Sequence, residues 1–176
     1  MKTPSKLTIG SIIVGIAIAL LSCFSFIKLV VLQPESLVTV NPSQVTIDTG
    51  SFLRKTNDGD RVNIKFNNQT ISAVVARSNA KQETGLMSVT SLPEREGMLF
   101  VFDDLTQRTF WMKNTLISLD IIYLDEKLKV VNLYDNTAAN QTSVVYPSLV
   151  PSAYVLELNG GEAKKINLQI GDTLSI

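Results

Sequence analysis

The chain contains no histidine. That excludes a Ser-His-Asp triad, a Cys-His dyad and any metal site built on imidazole. Cysteine is nearly absent as well. The one cysteine, Cys23, lies in the apolar N-terminal stretch, so the rest of the chain has no disulfide, no thiolate zinc site and no redox pair. Catalysis would have to rest on carboxylates, lysine, tyrosine, serine or threonine. No catalytic set is assigned among these, and no metal or cofactor is expected. Acidic residues are missing from residues 1–33, which carry three lysines: Lys2, Lys6 and Lys28. Without that segment, 13 basic residues stand against 16 acidic ones, a net charge of about −3. A mildly acidic remainder lacks the clustered basic surface that a nucleic-acid partner needs.

What is present begins with "LTIGSIIVGIAIALLSCFSFI", Leu7 to Ile27, 21 residues without a charge. Spanning a hydrocarbon core takes roughly 20 residues at about 1.5 Å each. Three readings compete. The run is a signal anchor, a cleavable signal peptide processed near "AIA" (Ala17–Ala19), or a lipoprotein leader with Cys23 of "LLSC" as acceptor. Apolar sequence continues through Leu32, and "FSFIKLVVL" after Cys23 is no polar tether. Both facts favour the anchor. Lys2, Lys6 and the α-amino group precede the span, and Lys28 follows it, a bias that places the N-terminus in the cytoplasm. We therefore expect a single-pass protein of the cell membrane. Residues 1–6 form a short cytoplasmic N-terminus, 7–32 a transmembrane signal anchor, 33–60 a tether with a possible edge strand at Val45–Asp48, and 61–176 a β domain outside the cytoplasm.

The β domain is legible from its alternation. "RVNIKF" puts Val62, Ile64 and Phe66 on one face. Asn67–Asn68 follows, and asparagine tolerates the positive φ of a tight hairpin turn. "QTISAVVA" returns. Asn79 is a fit N-cap with Gln82 three residues on, close to a capping box, and Gly85 is placed to end that short helix. Strands are expected at Met98–Phe102, Thr109–Met112, Leu119–Leu124, Leu128–Tyr134, Ala153–Asn159 and Thr173–Ile176. A single helical turn is expected at Gly160–Lys165. "GMLFVF" is apolar throughout, as a strand buried on both faces would be. Many short strands, one or two short helices and no βαβ rhythm indicate a mainly β fold, a compact sandwich or barrel.

Several stretches, in this order, resemble the DUF192 family. "GLM" (Gly85–Met87) is followed by "LPEREGMLFVF" (Leu92–Phe102), "FWMKNTLISLDIIYLD" (Phe110–Asp125), "VV" (Val130–Val131), "YVLELNGG" (Tyr154–Gly161) and "IGD" (Ile170–Asp172). The resemblance covers roughly Val62–Ile176. Val89 stands where the family pattern usually has an arginine, and Ser118 where it usually has a proline. The resemblance implies a compact, mostly β domain, often carried behind a signal peptide or anchor, and it implies no established reaction.

Six residues are candidates for contact with a ligand: Trp111, Lys113, Asn114, Asp120, Glu157 and Asn159. Trp111 is either a packing anchor, whose truncation would cost roughly 3–5 kcal/mol, or the aromatic wall of a pocket. Lys113–Thr115 either fix a turn through side-chain bonds to backbone or present an amine and a carboxamide to a ligand. Asp120 shares its strand face with Leu116, Ser118, Ile122 and Leu124. A carboxylate there needs a partner, because burying an unpaired charge is costly. Lys113, Arg108 or backbone N–H groups would serve. Glu157 alternates with apolar residues in "YVLELN". If it shared a cleft with Asp120, the two would form the carboxyl pair that glycoside hydrolysis uses. Asp103–Asp104 and Asp125–Glu126 read as solvated turns. The sequons at Asn68 and Asn140 matter only in a cell that glycosylates exported proteins. The expected function is a membrane-anchored binding module for a small molecule, a glycan or an envelope protein. A carboxylate-dependent hydrolase of envelope polysaccharide and a structural part of an envelope complex are the alternatives.

Overall fold

The computed structural model describes residues 48–176. The expected anchor at 7–32, Cys23, and most of the tether with its possible edge strand lie outside these residues. Along the chain the elements are α1 (Thr49–Leu53), β1 (Arg61–Phe66), β2 (Gln69–Ala76), α2 (Asn79–Thr84), β3 (Glu96–Thr106), β4 (Thr109–Trp111), β5 (Leu119–Leu124), β6 (Val130–Thr137), β7 (Val145–Pro147), β8 (Ser152–Asn159) and α3 (Glu162–Lys165). The expected tether thus ends in a helical turn, because Leu53 is apolar and fully buried. Among the described residues no helix is long and apolar enough to cross a membrane.

Alternation builds the first hairpin. Every second residue of β1 is buried, and Asn67 takes φ 51° at the turn, which returns the chain with Phe66 opposite Gln69. Next comes a departure from the expectation of no βαβ rhythm. The chain leaves β2 through α2 and re-enters in β3 parallel to β2, with Val74 beside Met98. This is a short βαβ crossover. A helix of six residues is too brief to announce itself by periodicity. The result is a mixed six-stranded sheet in the order β1-β2-β3-β8-β5-β6, with a separate ribbon of β4 and β7. The C-terminal residues bridge the two edge strands. Ser175 and Lys65 exchange backbone hydrogen bonds at 2.7 and 3.0 Å, and the Val130 N–H donates to the Asp172 carbonyl at 2.8 Å. The C-terminal residues thereby cover part of two edges that would otherwise be open to pairing.

The central strands β3, β5 and β8 are buried on both faces, as near-continuous apolar runs demand. One face supplies the main core, with Ile64, Ile71, Leu99, Ile122, Leu124 and Leu156. The other face supplies a second core, with Met98, Phe100, Ile121, Tyr123 and Val155 beneath Met112 and Leu86. A chain of edge-to-face rings fastens the β4–β7 ribbon over this second face. Phe100 meets Phe110 at 4.9 Å, Phe110 meets Tyr123 at 5.9 Å, and Tyr134 meets Tyr146 at 5.2 Å. The Tyr123 hydroxyl donates to the Tyr146 carbonyl at 2.5 Å, and the Tyr134 hydroxyl to that of Pro147 at 2.9 Å. The second core has a gap where the ribbon does not reach α2.

Candidate functional site

The far wall of that gap is α2. Its N-cap is Ser78, whose hydroxyl accepts from the Lys81 N–H at 3.2 Å. The expected capping box starting at Asn79 does not form. Gln82 instead donates its side-chain N–H to the Val101 carbonyl at 2.9 Å, lashing the helix to β3. Gly85 ends the helix at φ 50°, a backbone region that favours glycine. A Cβ there would lie 3.4 Å from the Phe100 ring, an ordinary contact, so the backbone angle and not space favours glycine.

Between α2 and β4 runs a groove of about 320 Å³, with Glu83 on one side and Phe102, Arg108, Phe110 and Trp111 on the other. A narrower chamber of about 30 Å³ adjoins it and shares Gln82, Glu83, Phe110 and Trp111 as walls. Gly85, Leu86, Phe100, Thr115 and Glu157 complete the chamber. Glu157 is 4% exposed, and its Oε2 has no hydrogen-bond partner among the described residues. Burial alone pushes its carboxyl up to about 8, because a low-dielectric surrounding disfavours the charged form. At the outer end, Arg108 lies 3.9 Å over the Phe102 ring and donates to the Asp104 carboxylate and carbonyl at 2.5 and 2.7 Å. Those bonds hold the Asp104 carboxyl below its usual range.

The six candidate residues separate cleanly. Trp111 is 53% exposed at the lip of both cavities, so the packing-anchor reading does not describe it. Its neighbours alternate around it: Met112 is fully buried and Thr109 exposed. Lys113 is exposed, with its ammonium 5.5 Å from the Trp111 ring centre. Asn114 occupies a turn at φ 56°, and its carbonyl accepts from the Ser88 N–H at 2.9 Å. Neither Lys113 nor Asn114 lines the chamber. Asn159 donates to the Leu92 and Pro93 carbonyls at 2.7 and 3.2 Å, which pins the loop before β3.

Asp120 is fully buried and saturated. It accepts from the backbone N–H groups of Asn136, Gly161 and Ala163, each at 2.7 Å. Of the partners expected, the backbone serves; Lys113 and Arg108 do not. Burial holds its carboxyl above the usual range, against the opposing pull of the N–H groups of Asn136, Ala163 and Gly161. Asp120 lies opposite Leu158 across the β5–β8 pairing, and Glu157 lies opposite Ile121. Side chains one position apart on a strand project to opposite faces. Asp120 and Glu157 therefore point away from each other, and the carboxyl pair required for glycoside hydrolysis is not formed by them.

Several lining residues carried no signal in the sequence. Phe100 reads as core, which it also is. Glu83 is no candidate in the sequence, and Arg108 is expected only as a partner for Asp120. Only the parallel β2–β3 crossover brings α2 over the strand ends that present these side chains.

The fold and the site define a small, mainly β domain with a mixed sheet, an aromatic groove on one face and a buried acid at its base. Residues 61–176 match the DUF192 family, described as an uncharacterized ACR, and the chain belongs to that family. Two solved structures are similar. One, from Sinorhizobium meliloti 1021, carries the name of a candidate transcription regulator. It is 26% identical, with a TM-score of 0.64, over 68% of this chain and 96% of that one. The other, a protein of unknown function from Novosphingobium aromaticivorans DSM 12444, is 33% identical, with a TM-score of 0.60, over 66% of this chain and 84% of that one. Comparison with curated proteins gives no match.

Proposed function

We propose that the domain is a binding module whose ligand lies in the groove between α2 and β4 and reaches Glu157 through the inner chamber. One observation carries this reading. Glu157 is buried, one of its oxygens has no hydrogen-bond partner among the described residues, and the residue lines the inner chamber. Burying a carboxyl without a partner costs stability, and such a cost is tolerated where a ligand supplies the missing partner. The groove volume sits at the low end of the roughly 300–1,000 Å³ of small-ligand sites. Its aromatic lining with a few polar groups fits the same class.

The uncharged run Leu7–Ile27 supports a membrane anchor that displays the domain outside the cytoplasm. The partner is then a small molecule, a glycan or a segment of an envelope protein. A binding role is favoured over hydrolysis because Asp120 and Glu157 share no cleft. The regulator name of the Sinorhizobium meliloti relative finds no support in the charge of this chain, which is mildly acidic outside residues 1–33.

The test is a fragment panel titrated against the full chain in nonionic detergent, read by ligand-observed NMR, for the native protein and Trp111→Ala. Fragments that bind the native protein are expected to lose at least tenfold in affinity with Trp111→Ala and to keep their affinity with Lys113→Ala and Asn114→Ala. Binding that ignores Trp111→Ala would reject the groove.

A further inference from the structure

The inner chamber is one-sided in charge. Among the described residues, its lining carries two carboxyl groups, Glu83 and Glu157, and no lysine or arginine. Arg108 lines only the outer groove, where its Nη2 is engaged by Asp104 while its Nε has no partner among the described residues. Three rings, Phe100, Phe110 and Trp111, complete the walls. Aromatic rings around an acid form a surrounding that attracts a cation, because the ring faces are electron-rich and the acid supplies the counter-charge. The molecule already displays this preference, since the Lys113 ammonium rests 5.5 Å from the Trp111 ring centre. Size narrows the choice. About 30 Å³ admits one or two water-sized groups, enough for –NH₃⁺ and too little for a quaternary head. The Glu157 oxygen without a partner is the acceptor that such a head would satisfy.

We infer that the chamber receives the primary ammonium end of an alkylamine, with Glu157 giving up its proton to solvent on binding to become its counter-charge, Trp111 as its lip and the alkyl stem lying in the groove toward Phe110. This rests on the groove being the binding site and names the chemical class of the ligand. The amine belongs either to a free alkylamine or to a lysine side chain of a partner chain.

The chain holds a single tryptophan, so its fluorescence reports directly on the mouth of the chamber. The full chain in nonionic detergent is titrated with n-butylammonium chloride, with 1-butanol as the neutral isostere and with tetramethylammonium chloride as control for salt and size. The expected result is a saturable Trp111 response to butylammonium, at least tenfold weaker affinity for butanol, and no saturation with tetramethylammonium. Glu157→Gln, which keeps shape and removes the charge, is expected to lower butylammonium affinity at least tenfold and to leave the butanol response unchanged. Equal affinity for butanol and butylammonium, or a Glu157→Gln protein that still binds butylammonium normally, would overturn the inference while leaving the groove reading intact. No response to any of these probes, together with a fragment panel that finds nothing at Trp111, would remove both. A further arm with Nα-acetyl-lysine methylamide identifies the source. Tenfold tighter binding than butylammonium assigns a lysine side chain, and equal or weaker binding assigns a free amine.

Discussion

Two buried carboxyl groups sit on opposite faces of one sheet, and they have opposite environments. Asp120 faces the main core and accepts three backbone N–H bonds. Glu157 faces the ribbon-covered side, where its Oε2 has no partner and a chamber opens beside it. Both are acids in mainly apolar strands, and both looked alike as candidates. The difference lies in how completely each is satisfied. A carboxylate whose lone pairs are filled by the fold is a clamp: Asp120 joins the end of β6 to the Gly160–Gly161 turn and the start of α3. A carboxyl left open toward a cavity contributes nothing to folding and costs something, so its reason lies outside the fold.

The strongest way to break this comparison is to remove the clamp. Asp120→Ala leaves three buried N–H groups without an acceptor. Hydrogen bonds to charged groups contribute about 1.5–3 kcal/mol each, and orphaned donors add a penalty, so a loss on the order of 4 kcal/mol or more is expected in urea denaturation of the full chain. A loss under about 1 kcal/mol would show that Asp120 is not a clamp.

Glu157→Gln moves stability the other way. The folded carboxyl is raised to about 8 from an ordinary 4.5, so between those values the folded chain holds a proton that the unfolded chain releases. Stability therefore falls as pH rises from 4.5 toward 8. Glutamine removes that dependence. The variant is expected to be more stable than the native protein by on the order of 3 kcal/mol at pH 7, since one pKa unit corresponds to about 1.4 kcal/mol. The gain vanishes at pH 4, where both states of the native protein are protonated. Denaturation at the two pH values checks it; a variant less stable at pH 7 would mean that Glu157 has a partner in the fold.

Asn159→Ala sharpens the distinction between site and scaffold. It removes two bonds to the loop at Leu92–Pro93, at about 1–2 kcal/mol in stability, with ligand binding at Trp111 unaffected. Trp111→Ala is the smallest in stability and the largest in binding. At 53% exposure it is expected to cost under about 1 kcal/mol, against roughly 3–5 kcal/mol for a buried tryptophan, while abolishing the groove's affinity.

Much of the fold was legible because alternation is a local property. The hairpin at Asn67, the doubly buried "GMLFVF" strand, the turn at Gly160–Lys165 and the facing of Trp111 opposite to Met112 all follow from neighbours in sequence. The parallel β2–β3 crossover did not, because α2 has six residues and one turn and a half of helix carries little periodicity. The strand β7 is three residues ending in a proline, which reads as loop. The site was half legible. Trp111 and Glu157 meet at one chamber, with Thr115 from Trp111's own stretch, yet their partners Gly85 and Phe100 arrive from two other segments. Asp120 and Asn159 looked functional because a polar side chain in an apolar strand is unusual. Their partners are backbone groups, which a sequence does not display.

The central claim is that Glu157 is a neutral, unpartnered acid at the base of an accessible chamber. The most direct measurement is the carboxyl carbon-13 titration of Glu157 in the full chain, with its resonance identified by its loss in Glu157→Gln. A midpoint near 8, displaced on addition of butylammonium, is the result predicted. A midpoint in the ordinary range of about 4–5, unmoved by the amine, would show a carboxylate already satisfied within the fold and would contradict the account.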